Sequence, residues 1–179
     1  DRTALLSELT SESVKKLVLF LPHEDRLETL ALLGYPEDSV GRLMNPDYIE
    51  VKDNFTVQDA LNKIRKLGRT IENINFIYII DDNEKLIDDI NLKELLIAAP
   101  ETRLSELSDK KYIALHVTDD QENATSVFRK NNRAVLPVVD TDGILLGIVT
   151  IDDMLRVQSE EDTEDIQKMG GTEALDEPY

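Results

Sequence analysis

Residues 135–155 read VLPVVDTDGILLGIVTIDDML, and this stretch decides the fold. Val135 to Val139 is a short apolar run with the length of a buried strand, and Ile144 to Val149 is another. Asp140 to Gly143 between them carries tight-turn chemistry. Thr150 followed three residues on by Asp153 is a capping-box pattern, so a helix starts there with Ile151, Met154 and Leu155 inward. The order is strand, tight turn, strand, then a helix that opens on Asp152 and Asp153.

The same order occurs earlier. FIYIIDDNEKLIDDI, residues 76–90, reads as paired strands, and Asn91 with Glu94 opens a helix whose inward side is Leu92, Leu95 and Leu96. One constant shift places Asp81 on Asp140, Leu86 on Leu145, Glu94 on Asp153 and Leu96 on Leu155. Upstream of each copy lie a short strand and a capped helix. DYIEV at 47–51 precedes a helix from Thr56 to Gly68 with Val57, Ala60, Leu61, Ile64 and Leu67 at helical spacing. KYIAL at 111–115 precedes a helix from Asp120 to Asn131-Asn132 with Ala124, Val127 and Phe128 inward. The chain is a tandem β-α-β-β-α repeat of mixed α/β class. A lone copy of this size has a marginal core, so the two should share one.

The expected boundaries are 1–38 for a short helical segment, 39–100 for the first repeat, 101–158 for the second and 159–179 for an acidic connecting helix. In the helical segment, Ser11-Glu12 starts a helix facing inward through Val14, Leu17, Val18 and Leu21. Pro22 breaks it, and Glu24–Leu33 continues to Gly34.

Composition narrows the function. The 179 residues hold no cysteine, two histidines and a net charge of −17. Disulfides, thiolate metal sites and thiol catalysis are excluded. So acidic a surface repels phosphate backbones and anionic lipid, so no nucleic-acid partner is expected. No apolar run reaches the ~20 residues of a membrane span, no signal-peptide pattern is present, and the chain is expected to be a piece of a longer protein. His23 and His116 have no ligand-like neighbours, and no nucleophile–base pair or glycine-rich phosphate loop occurs, so an enzyme is not expected.

The acids attract cations. Between Asp152 and Glu177, ten carboxylates face only Arg156 and Lys168. Glu160/Glu164 and Glu161/Asp165 are four apart and Glu161/Glu164 three apart. On a helix each such pair costs about 0.2–0.5 kcal/mol unless a cation neutralises it. Oxygen ligands without nitrogen or sulfur suit hard ions such as Mg²⁺. An exposed acidic linker accounts for the same residues. Asp120 and Glu122 suit a helix cap and its dipole equally well, and Thr150 with Asp153 suits either a cap or a ligand at a strand–helix junction.

The pattern PVVD-x-x-G-x-L-x-G-IVT-x-x-D, at 137–153, resembles a CBS domain, and its two copies resemble a CBS pair. GYPEDSVGRLMNPDYIEV (34–51) and EEDTEDIQKMGG (160–171) are similar to the MgtE family of magnesium transporters, over nearly the whole chain. The resemblance implies a cytosolic Mg²⁺-sensing region on the cytoplasmic face of the membrane. It implies an N-domain end at 1–38, a homodimer formed through the CBS helices, and coupling to the protein's own transmembrane domain. It also implies cytosolic metal sites at Asp120, Glu122, Asp153, Glu161, Glu164 and Asp165. A nucleotide cleft follows from it at Phe76 and Glu94 in the first repeat and Thr150 and Asp153 in the second. ATP is left open, because the helix end where the family has an acid and an aromatic carries Asn132 and Arg133. An adenosine-nucleotide-sensing module is the alternative. The first repeat departs from the pattern in lacking a turn glycine (DDNEK) and in having Asp88-Asp89 where a glycine and an apolar residue are usual.

Overall fold

Each repeat builds a three-stranded sheet, and the two sheets have the same strand order. The computed structural model of the chain describes residues 10–21, 34–71, 73–157 and 159. In the first repeat β1 (Glu50–Lys52) runs parallel to β2 (Phe76–Ile80), which pairs antiparallel with β3 (Leu86–Asn91). In the second, β4 (Leu115–His116), β5 (Val135–Val139) and β6 (Leu145–Thr150) repeat that arrangement. The helices are α1 (Ser11–Phe20), α2 (Val57–Leu67), α3 (Leu92–Ile97), α4 (Leu104–Leu107), α5 (Gln121–Asn131) and α6 (151–157). Parallel neighbours require a crossover, and α2 and α5 supply it. The connection after α2, residues 68–75, is longer than its counterpart at 132–134, so the constant shift holds from β2 onward and not before it.

Local chemistry explains the turns. Asp81 Oδ1 accepts from the backbone N–H of Asn83 and Lys85, at 2.8 and 2.9 Å. Asp140 Oδ1 does the same for Asp142 and Ile144, both at 2.9 Å. The acids at equivalent turns therefore serve the turns. Gly143 then takes φ +82°, and in the first repeat Glu84 takes the same left-handed conformation at φ +64°.

The two repeats exchange their leading segments. Val40 and Gly41 donate to the carbonyls of Asp119 and Val117, and Asn45 and Ile148 exchange backbone hydrogen bonds at 2.8 and 2.9 Å. Residues 39–45, which open the first repeat ahead of β1, thus complete the second. Reciprocally, Val57 donates to the Thr102 carbonyl and Leu104 to that of Phe55, so the chain leading into the second repeat completes the first. β1 and β4 begin later than the 47–51 and 111–115 of the sequence reading, because the chain just upstream is still crossing over.

Three apolar clusters result. One joins Val40 and Met44 to Leu115, Phe128, Leu136 and Met154 of the second repeat. Another joins Leu104 to Ile49, Val57, Ile79 and Leu95 of the first. The third lies on the seam and takes residues from both sheets, among them Tyr78, Leu86, Val135 and Ile148. At the seam the hairpin turns also bond directly, Leu86 N–H to Gly143 and Leu145 N–H to Glu84, at 3.0 and 3.2 Å. The shared core is the expected one.

Three inward assignments are corrected. Leu96 is 67% exposed and Leu155 41% exposed, at matching positions of α3 and α6. Each of these helices turns inward at this level through one residue, Leu95 and Met154. On α1, Leu17 is exposed and Lys15 is buried. Lys15 docks by charge: its Nζ lies 2.6 Å from Glu50 and 2.8 Å from Glu84. The helix expected over Glu24–Leu33 lies outside the described residues.

Candidate functional site

Thr150 and Asp153 close on each other. Thr150 Oγ1 donates to Asp153 Oδ2 at 2.8 Å and accepts from the Asp153 backbone N–H at 3.2 Å. Arg156 holds the other oxygen, Oδ1, at 2.8 Å. This is a helix cap with a basic partner one turn on. Both carboxylate oxygens are engaged, so a ribose hydroxyl or a metal ion would share or displace these bonds.

Asp120 is likewise a cap. Its Oδ1 accepts from the N–H groups of Glu122 and Asn123, at 2.9 and 3.2 Å, and Glu122 is exposed in the first turn of α5. Among the described residues no group of three or more His, Cys, Asp or Glu side chains is arranged to hold a metal ion. Asp120, Glu122 and Asp153 are therefore not brought into one such cluster. Glu161, Glu164 and Asp165 lie outside the described residues. Mg²⁺ needs only one or two carboxylates because it keeps most of its water.

The first-repeat cleft has a volume of about 370 Å³, and Glu94 lines it together with Asp88, Asp89, Asp109 and Lys111. Asp88 is buried, and the segment that crosses over from the second repeat satisfies it. Ser108 Oγ donates to its Oδ2 at 2.6 Å and the Lys110 N–H at 3.1 Å. At the equivalent position of the second repeat, Gly147, an added Cβ would stand 2.2 Å from Met44 Cγ and 2.8 Å from the Asn45 carbonyl. One crossing segment packs on bare backbone while the other is held by a carboxylate. The unusual Asp88 is thus accounted for.

Asp89 pairs with Arg133, whose guanidinium lies over the Phe76 ring, 4.0 Å from its centroid. Burial lowers Arg133, opposed by the Tyr78 charge. The fold brings Phe76 and Glu94 to the first repeat's side of this region and leaves Thr150 with Asp153 at the end of β6. Sequence reasoning did not place Asp89 and Arg133 together. Its only signal was that both positions depart from the usual pattern.

A second ionic cluster also went unread. Besides Lys15, Glu84 meets Lys52 at 3.4 Å, and Lys52 donates to the Asp81 carbonyl at 2.7 Å. Burial pushes Glu84 up, yet the Lys15 and Lys52 ammonium groups outweigh it and hold the carboxyl below its ordinary value. Tyr48 stands beside them in T-shaped contact with Tyr78, and burial raises its hydroxyl well above normal, with Glu50 and Glu84 adding to the effect.

Paired β-α-β-β-α units, sharing a seam and exchanging leading segments, define a regulatory binding module. The CBS domain family model matches residues 40–101 and 104–160, and the chain belongs to that family. More particularly, it is similar to the magnesium transporter MgtE of Thermus thermophilus, 37% identical over 92% of this chain and 37% of that protein. It is also similar to MgtE of Bacillus subtilis, 30% identical over 79% of this chain and 31% of that protein. The chain thus spans about a third of the length of the curated relatives it matches. Its structure resembles the crystal structure of the cytosolic domain of the Mg²⁺ channel MgtE in complex with ATP. That match has a TM-score of 0.69 and 27% identity, covering 87% of this chain and 78% of that one. These relatives are transporters and a channel's cytosolic domain, and the chain is not an enzyme. Among the described residues, no helix is long and apolar enough to cross a membrane.

Proposed function

We propose that the chain is the Mg²⁺-sensing regulatory region of a magnesium transporter, lying at the cytoplasmic face of the membrane and acting on a transmembrane domain of the same protein. One observation carries this reading: the similarity to MgtE transporters over almost the entire chain. The net charge of −17 supports it physically. Crowded carboxylates repel, and divalent ions relieve the repulsion. At low Mg²⁺ the acidic surfaces part. At high Mg²⁺ hydrated ions bridge them, and the compact state gains population in proportion to its differential affinity for the ion. Such sites are weak, in about the millimolar range of flexible oxygen sites. In this reading the acids at 161, 164 and 165 belong to the acidic segment expected to lead toward the membrane domain. In this reading a homodimer forms through the CBS helices, and Leu96 and Leu155 supply apolar surface for it.

The test is the triple variant Glu161→Gln/Glu164→Gln/Asp165→Asn, titrated with Mg²⁺ and followed by scattering radius and protease protection. The parent should compact as Mg²⁺ rises and the variant should respond less. Identical titrations for both proteins would defeat the assignment. Nucleotide sensing is the second reading, favoured by the ATP bound to the similar MgtE domain.

A further inference from the structure

Three parts of the chain meet at Glu84. Its carboxylate receives the Lys15 ammonium of α1 at 2.8 Å and the Lys52 ammonium of β1 at 3.4 Å. Its own carbonyl accepts the Leu145 N–H of the second repeat at 3.2 Å. Two residues on, the Leu86 N–H donates to the Gly143 carbonyl. Glu84 thus holds α1 with its side chain and the seam with its backbone. The Lys15 ammonium also lies 5.9 Å from the centre of the Tyr48 ring, and the Tyr48 hydroxyl donates to the Leu145 carbonyl at 3.3 Å.

The second repeat shows that the turn itself does not need this arrangement. Gly143 takes φ +82° where Glu84 takes φ +64°. Glycine enters that region without steric cost, whereas glutamate is strained there. Among the described residues, nothing lies within 4 Å of where a Cβ on Gly143 would stand. One turn is set by its own residue type, and the other leans on a helix far upstream. The Lys15 side chain is only 4% exposed and touches Glu50 at 2.6 Å as well as Glu84. Without the ammonium these two carboxylates repel each other across the space it fills. Glu84 then loses the closer of its two cations, and with it part of what offsets its backbone strain.

We propose that Glu84 couples the docking of α1 to the closure of the seam between the repeats. With Lys15 in place, Glu84 keeps its left-handed turn and the turn keeps its bonds to Gly143 and Leu145. Drawing α1 away loosens that end of the seam, and by reciprocity an opened seam weakens the hold on α1. The inference goes beyond the Mg²⁺ reading and stands without it, since the bridging cation is an ammonium of the chain itself.

Amide hydrogen exchange in chelator tests it on the full chain, with Lys15→Met, Glu84→Gly and the two combined. Lys15→Met should speed exchange of the Leu86 and Leu145 amides, relative to those of β5, by about five-fold or more, the low end of ordinary couplings. Glu84→Gly removes both the carboxylate and the strain, so it should uncouple the two. In that background Lys15→Met should change the Leu145 rate by no more than about two-fold, within the scatter of independent sites. Parent-like rates in Lys15→Met overturn the coupling. So does acceleration spread evenly over both sheets, which is general loss of stability. A larger effect surviving in the Glu84→Gly background overturns it too, because Lys15 would then act by another route. Should Lys15→Met alone not fold, rescue decides. A folded Lys15→Met/Glu84→Gly chain supports the coupling, and a double variant that also fails to fold overturns it.

Discussion

Glu84 takes a backbone conformation that suits glycine, and does so where its counterpart is Gly143. A non-glycine residue at such φ costs about 1 kcal/mol or more. Three contacts offset the cost: Lys15 and Lys52 on the carboxylate, and the Leu145 N–H on the carbonyl. The missing glycine of DDNEK was visible in the sequence. Its reason was not, because Lys15 lies far upstream and only the fold brings it in. The native pKa of Glu84 is lowered, so its stabilisation is present above the ordinary value of 4.5 and is lost as pH falls through the lowered native value. Glu84→Gln should therefore melt below the parent at neutral pH, and the gap should close as pH drops below 4.5, measured by thermal unfolding of both proteins across pH. Gly147 is the opposite case. A methyl group there meets the Asn45 carbonyl, which reciprocal bonds to Ile148 hold in place. Gly147→Ala should lose about 1–3 kcal/mol in chemical denaturation, the usual range for overpacking.

Elements of this chain announce their starts. Thr56 and Asp59 form a complete capping box, and hydrogen bonds from Thr56 hold the Asp59 carboxyl below its usual value. Asp120 and Thr150 cap α5 and α6 as their spacing suggests. These signals were legible because a cap involves residues two or three apart. A cap and a metal ligand nevertheless look alike in sequence, and Asp120 separates them experimentally. Asparagine caps about as well as aspartate, whereas alanine costs about 1 kcal/mol. Asp120→Asn should match the parent's stability in chelator and show a weaker Mg²⁺-dependent rise in melting temperature. Asp120→Ala should lose stability with or without the ion. An Asp120→Asn variant whose Mg²⁺ response equals the parent's would reduce Asp120 to a cap alone. The exposed side of α3 and α6 was not legible. Helical spacing marks several leucines as apolar, but it does not say which of them the neighbouring sheet covers.

At the scale of the molecule, the exchange of leading segments ties the repeats together. Met44 lies at the start of the first repeat in sequence yet is buried in the core of the second, with Val40 and Met154. Met44→Ala should cost about 2–5 kcal/mol, the range for a buried methionine truncated to alanine. Hydrogen exchange should accelerate first in β5 and β6, far along the chain, and later in β2 and β3. Earlier opening of β2 and β3 would mean that residues 39–45 support the first repeat instead.

The tandem repeat, its turns, its caps and its acidity were set by the sequence alone, because each rests on periodicity or on contacts between residues a few positions apart. The crossing of residues 39–45 into the second repeat, the burial of Lys15 between two glutamates, and the meeting of Arg133 with Asp89 over Phe76 were decided only in the tertiary structure. Each joins residues tens of positions apart. No local spacing encodes such a meeting. It follows from two half-cores closing on a common seam, which leaves each charge beside whichever partner the closure delivers.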